Sequence, residues 1–184
     1  MRLLLTATNR RVDLVDEHFD VALRVRATLD TDANHIVRVL GESSIWLVAA
    51  PAWAAAHPQL HIDSLVEQPL LSPLEAPEPH RITLRGPAGQ QRELQYVPRI
   101  SCSEFDVVRH AAMAGQGVAL LPNHTCRADI AAGRLVRVLG YWCSAPSTVH
   151  LVYTSRRGQR PAVRAFIDFV VRTLSPVFGG VGGS

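Results

Sequence analysis

Lysine is absent. All 19 cations of this 184-residue chain are arginines, set against 16 acids, for a net charge of +3. They are spread along the chain, and only Arg10-Arg11 and Arg156-Arg157 are adjacent. There is thus no basic block of the kind that tracks a phosphate backbone, and the cations read as a solvated surface. Cysteine is scarce. Cys102, Cys126 and Cys143 are odd in number and none forms a C-x-x-C, which excludes a disulfide framework and a zinc site of that pattern. Each reads as a small apolar residue. Long apolar runs are missing too. The longest, Ile45 to Ala56, is interrupted by Pro51 and falls short of the roughly 18 residues a membrane span needs. The first five residues, MRLLL, resemble the opening of a signal peptide, but the chain then turns polar without a cleavage site. The segment therefore reads as a strand, and the protein is expected in the cytoplasm with no membrane partner.

Catalytic signatures are also lacking. There is no G-x-S-x-G, Walker A, H-E-x-x-H or G-x-G-x-x-G. His57 and His61 have the i,i+4 spacing of helical metal ligands, but Pro58 lies between them and breaks the helix that spacing requires. Cys102 and His110 are eight residues apart, about 12 Å along a helix, too far for a nucleophile and its base. No catalytic residue, metal or cofactor is expected.

What is present is an alternation of strands and helices. With 47% hydrophobic residues, the chain is long enough for one sizeable core or two small lobes. Strands are expected at Arg2–Thr8, Phe19–Val25, Ile36–Leu40, Ile45–Ala50, Leu70–Leu71, Arg81–Arg85, Glu93–Val97, Val118–Leu121, Leu135–Leu139 and Thr148–Thr154. Helices are expected at Arg10–Glu17 behind an Asn9 cap, after Pro51, after an Asp63 cap, at Glu104–Ala114, after Pro122 and from Pro161 onward. Ser101 and Glu104 have capping-box spacing, and Phe105, Val108, Ala111 and Ala112 make an apolar stripe. The uninterrupted apolar strand Ile45–Ala50 suggests burial on both faces, as in a parallel sheet. The class is therefore α/β with mainly parallel strands. The glycine-rich end from Phe178 onward reads as a flexible tail.

Open α/β sheets bind ligands beyond the carboxyl ends of their strands. Thr8, Asn9, Arg24, Arg26 and Ser72 fall at such ends. Ser101 and Ser103 precede a helix, where free N–H groups and the helix dipole attract anions. Capping alone is the competing role for the two serines, and a surface position for the two arginines. Their cationic character suggests an anionic ligand.

Six segments, in order, resemble the effector-binding domain of LysR-type transcriptional regulators: RRVDLVDEHFDVALRV (residues 10–25), LVAAPAW (47–53), AGQGVALLP (114–122), GRLVRVL (133–139), VYTSR (152–156) and VRAFIDF (163–169). Together they cover about residues 1 to 175. The resemblance implies a type-2 periplasmic-binding-protein-like fold: two Rossmann-like lobes joined by two crossovers, with the effector between them. It places lobe one at 1–50 and 148–175, lobe two at 51–147, and a tail at 176–184. The family's cleft positions fall on Thr8, Asn9, Arg24, Arg26, Ser72, Ser101, Ser103 and Gly117. Arg26 stands where the family usually has glycine. Relative to the family pattern, the winged helix-turn-helix, the linker helix and the first strand and helix of lobe one are missing from the sequence. The resemblance thus implies a small-molecule effector as partner, DNA only through a winged helix-turn-helix absent here, and a homodimer or homotetramer in the full-length protein. A stand-alone small-molecule binder of the same fold, and an enzyme on an α/β scaffold, are the competing functions.

Overall fold

The computed structural model describes residues 2–8, 10, 12–29, 35–154 and 160–179. The chain divides into two units, one formed by Met1–Ser43 with Ser147–Ser184, the other by the continuous stretch Ser44–Pro146.

The first unit is a three-stranded sheet with the order β1 (Val21–Arg26), β11 (Ser147–Thr154), β2 (His35–Ser43). Both pairings are antiparallel, Leu23 facing Leu151 and Arg38 facing Leu151 from the other side. The long helix α4 (Pro161–Leu174) begins on a proline that needs no N–H partner. Its three- and four-residue apolar spacing lays Ile167 and Val170 onto Leu40, Val149 and Leu151. Alternation along β11 should leave one face wet, yet Val149, His150, Leu151 and Val152 are all buried, so this strand is covered on both faces. Phe178 belongs to this core rather than to a loose tail: it packs against the cluster, and its carbonyl accepts from Glu42 N–H at 3.2 Å. Residues 180–184 lie outside the described residues.

Two expectations for the amino-terminal stretch fail. Arg2–Thr8 is exposed and forms no strand, because none of the described strands pairs with it, and an unpaired strand has no ladder to satisfy its backbone. The expected helix at Arg10–Glu17 is instead a set of turns at 14–18. Asp13 is the reason: its carboxylate accepts from Val15 N–H at 2.8 Å and Asp16 N–H at 2.9 Å, a side-chain turn that competes with helix. Asn9, the expected cap, lies outside the described residues. Arg10 pairs with Glu17 across these turns and holds that carboxyl down to about 2.

The second unit is built on an eight-stranded sheet with the order β6 (Gln91–Tyr96), β5 (His80–Arg85), β10 (Cys143–Ser144), β3 (Ile45–Ala49), β8 (Val118–Pro122), β4 (Leu70–Ser72), β7 (Ile100–Ser101), and β9 (Val136–Arg137) beside β3. The mainly parallel expectation is corrected here, since only β4–β7 and β4–β8 run parallel. β3 is buried on both faces because the sheet has a layer on each side, not because its neighbours are parallel. Leu47 and Ala49 join one cluster with Leu65, Leu70 and Leu120, and the short helix α1 (Pro51–Ala56) packs Trp53 and Ala54 onto that side. Val48 joins the other with Leu71, Ala119 and Leu121, under α2 (Phe105–Met113) and α3 (Asn123–Ala131).

Smaller corrections follow from side chains otherwise engaged. Asp63 does not cap a helix: the turn is a 3-10 segment at Leu65–Glu67 capped by Ser64 without a side-chain bond, and Asp63 pairs with Arg92 at 3.2 Å. Phe105 opens α2 too early to reach the core and is 41% exposed, whereas Val108 and Ala112 are fully buried. The expected strand Leu135–Leu139 keeps only Val136–Arg137 in its ladder. Among the described residues no helix is long and apolar enough to cross a membrane.

Candidate functional site

Ser72 ends β4 and pairs in register with Ser101 at the end of β7. Their parallel alignment brings two of the predicted residues to the same end of the sheet, followed directly by Ser103 and α2. Ser72 itself is fully buried. Its hydroxyl accepts from Leu74 N–H at 3.3 Å and from Tyr96 O–H at 3.3 Å, and lies 3.0 Å from His80 Nδ1. His80 Nε2 is 3.2 Å from the Ala76 carbonyl. A carbonyl can only accept, so Nε2 carries the proton and Nδ1 accepts from Ser72. Burial, partly offset by the bond to Ser72, raises the Tyr96 phenol above its usual range. Ser72 is therefore the hub of a saturated buried network that fixes the loop 73–79. Replacing it with alanine leaves Tyr96 O–H, His80 Nδ1 and Leu74 N–H without that partner. Urea unfolding of Ser72→Ala is expected to show a loss of about 2 kcal/mol, while a loss near zero would mean the network re-forms without it.

The loop so fixed reaches the start of α2. The Ser101 hydroxyl donates to the Leu74 carbonyl. Ser103 N–H and Oγ–H both donate to Glu75 Oε1, at 3.2 and 3.0 Å. The capping box is thereby corrected: the N-cap of α2 is Glu104, with no side-chain cap bond, because both serines spend their hydroxyls on residues 74 and 75. A carboxylate already sits on the donors that precede this helix, where a negative charge is stabilised by the exposed N–H groups and the dipole.

Gly117 is not brought to the serines. It precedes β8, whose Val118 is aligned with Leu70, two residues before Ser72, so it lies at the opposite end of these parallel strands. Its backbone, at φ +146°, runs against Pro69 so closely that a Cβ would stand 1.9 Å from the Pro69 carbonyl oxygen. Its role is close packing of strand against strand.

The remaining predicted residues belong to the first unit. Thr8 is exposed and its hydroxyl accepts from Arg10 N–H at 3.3 Å. Arg24 faces His150 across the β1–β11 ladder and donates to the Val12 carbonyl at 2.7 Å, tying the turn segment to the sheet. Arg26 is exposed and bonds to the Val25 carbonyl at 3.0 Å. His150 is 1% exposed. Burial pushes its pKa down against the raising effect of the Thr148 carbonyl, and Arg24 and Arg26 push it further down.

Sequence reasoning did not find Glu75, His80 or Tyr96. Glu75 sits among prolines in a segment read only as loop. His80 and Tyr96 face Ser72 because of the β5–β6 hairpin register, in which they are partners, and no spacing along the chain encodes that.

The chain is similar to known proteins. The family model for the LysR substrate binding domain matches residues 1–175. A putative transcriptional regulator of Pseudomonas aeruginosa is 30% identical over 183 residues, covering 93% of this chain and 56% of that protein. The full-length Vibrio cholerae virulence activator AphB, a member of the LTTR protein family, superposes with a TM-score of 0.77 at 31% identity, over 93% of this chain and 57% of AphB. The regulatory domain of the C227S variant of AphB from Vibrio vulnificus also gives 0.77, at 30% identity, over 92% of this chain and 82% of that domain. The chain spans about half the length of the full-length relatives it matches. These relatives carry the names of regulators, and the fold they share with this chain is the type-2 periplasmic-binding-protein-like one expected from the sequence. The chain belongs to the LysR substrate-binding domain family.

Proposed function

We propose that this chain is the effector-sensing part of a LysR-type transcriptional regulator, and that it takes a small organic anion. Binding changes the regulator only in so far as the effector favours one of two states. DNA contact belongs to a winged helix-turn-helix of the full-length protein, and assembly is as a homodimer or homotetramer of that protein. The supporting observation is the Ser103 N–H and Oγ–H pair, converging on a carboxylate at the head of α2. An effector carboxylate is bound by the same donors, and Ser101 lies beside them. Ser72 holds the loop in place rather than touching the ligand. In the first unit, Arg26 is exposed, whereas Arg24 is committed to Val12. The Ser72–His80 pair resembles a nucleophile and base, but a fully buried hydroxyl with three partners is not reachable by a substrate.

Because Glu75 occupies the donors, it competes with an incoming anion. Acetate titrated into labelled protein at constant ionic strength is expected to shift the Ser103 to Asp106 amide resonances saturably. Glu75→Gln should bind it about tenfold more tightly, since a neutral amide is a weaker acceptor than a charged carboxylate. Shifts that never saturate in either protein would overturn the anion reading. For the true effector at a hundred times its Kd, linkage gives about 2.7 kcal/mol of stabilisation, read as a Tm rise of roughly 5–10 °C.

A further inference from the structure

A second cluster in the same unit is untouched by that reading. Trp46 lies in β3 between Leu121 of β8 and Cys143 of β10 and packs against the cluster under α2 and α3. Two guanidinium groups approach its indole. Arg137 of β9, whose strand neighbour is Val48, has its Cζ 4.2 Å from the ring centroid, and Arg127 of α3 stands at 5.9 Å. Both distances fall within cation–π range. Arg137 Nε is closed off from solvent and has no acceptor among the described residues. None of the described carboxylates pairs with Arg137. Asp129, the buried acid of α3, is taken by Arg109 and Arg134.

The positive field is felt by the neighbours on α3. Burial raises the Cys126 thiol to about 11 although Arg137 and Arg127 both pull it down. His124 is pushed down by burial and then by Arg127. Two like charges over one indole repel each other, and one of them keeps a sealed donor with nothing to bond. A planar guanidinium fork is matched by the two oxygens of a carboxylate or phosphate, and an anion there offsets the repulsion and gives the Arg137 guanidinium an acceptor. Arg127 is exposed, which leaves the cluster open to a ligand.

We propose that Trp46, Arg127 and Arg137 form an oxyanion-binding site of the second unit, which takes the carboxylate or phosphate group of a small organic anion with its apolar part against the indole edge. The site shares no residue with the Ser101–Ser103 group and stands whether or not that group binds an effector.

The test follows the Trp46 indole N–H and the Arg137 Nε–H resonances of the full chain. Inorganic phosphate and, separately, acetate are added with ionic strength held constant by sodium chloride. Both resonances are expected to shift saturably with at least one anion. Saturation by phosphate alone assigns a phosphate group, by acetate alone a carboxylate, and by both a general oxyanion site. Affinity should fall about tenfold in Arg137→Gln and in Arg127→Gln, the loss of one charge-assisted contact, and stay unchanged in Ser103→Ala. Arg127 lies on an exposed helix position, so its variant carries the test if Arg137→Gln does not fold. No saturation with either anion, or saturation equally tight in Arg127→Gln, overturns the site.

Discussion

Gly117→Ala is expected to destabilise the domain by roughly 3–5 kcal/mol, the sum of a left-handed backbone strain and an overlap that only backbone movement can relieve. The added methyl would stand 1.9 Å from the Pro69 carbonyl oxygen. That same oxygen accepts from Val118 N–H at 3.0 Å, so moving it away breaks the bond that starts the β4–β8 pairing. Gly115→Ala is the internal control. Its φ is also positive, at +74°, but nothing lies within 4 Å of the added atom, so it should lose only about 1 kcal/mol. Urea midpoints of the two variants separate strain from overlap. Equal losses would show that the close approach to Pro69 contributes nothing.

Asp129→Ala is the second large effect. The carboxylate is 1% exposed and bridges Arg109 and Arg134, each at 2.6 Å. Burial raises its pKa, but the two guanidinium hydrogen bonds outweigh burial and hold it below the usual carboxylate range. Removing one partner of a buried pair typically costs 3–5 kcal/mol. Here both arginines keep some contact with water, so a loss of about 2–3 kcal/mol is expected. The sign with pH follows from the lowered value. The contribution is fully present above the unfolded carboxylate pKa of about 4 and is lost as pH falls through the folded value. Guanidine unfolding from pH 7 to pH 2 should therefore show a steeper acid loss in the parent than in Asp129→Ala. Parallel curves would mean that the bridge adds nothing to stability.

The legible parts of the fold are those with local punctuation. Pro51 and Pro161 mark helix starts, Gly133 follows a helix end at φ +71°, and Gly86-Pro87-Ala88-Gly89 marks the β5–β6 hairpin. Strand direction was not legible. Ile45–Ala49 is apolar throughout whether its neighbours run parallel or antiparallel, because two covered faces look the same in either case. The Arg10–Glu17 segment went wrong because its apolar residues, Val12, Leu14 and Val15, fit a helix while the Asp13 carboxylate supports turns. At the candidate site, Ser101 and Ser103 were legible as residues before a helix. Glu75 was not, since it arrives from 28 residues away through a loop held by a buried serine.

The first unit is assembled from the two ends of the chain, and its middle strand comes from the later end. Among the described strands β1 and β2 pair with β11 alone, so neither has a described partner in the ladder until residues 147–154 exist. On a ribosome adding about 5–20 residues per second, the amino-terminal strands wait through roughly 100 residues of synthesis, on the order of 5–20 s. The continuous stretch Ser44–Pro146 can fold during that time. Exposed Leu23, Val25, Ile36 and Val39 make those waiting strands the segment a chaperone would hold. Translation that stalls before residue 147 should yield a folded second unit with the β1 and β2 segments left unpaired and prone to aggregate.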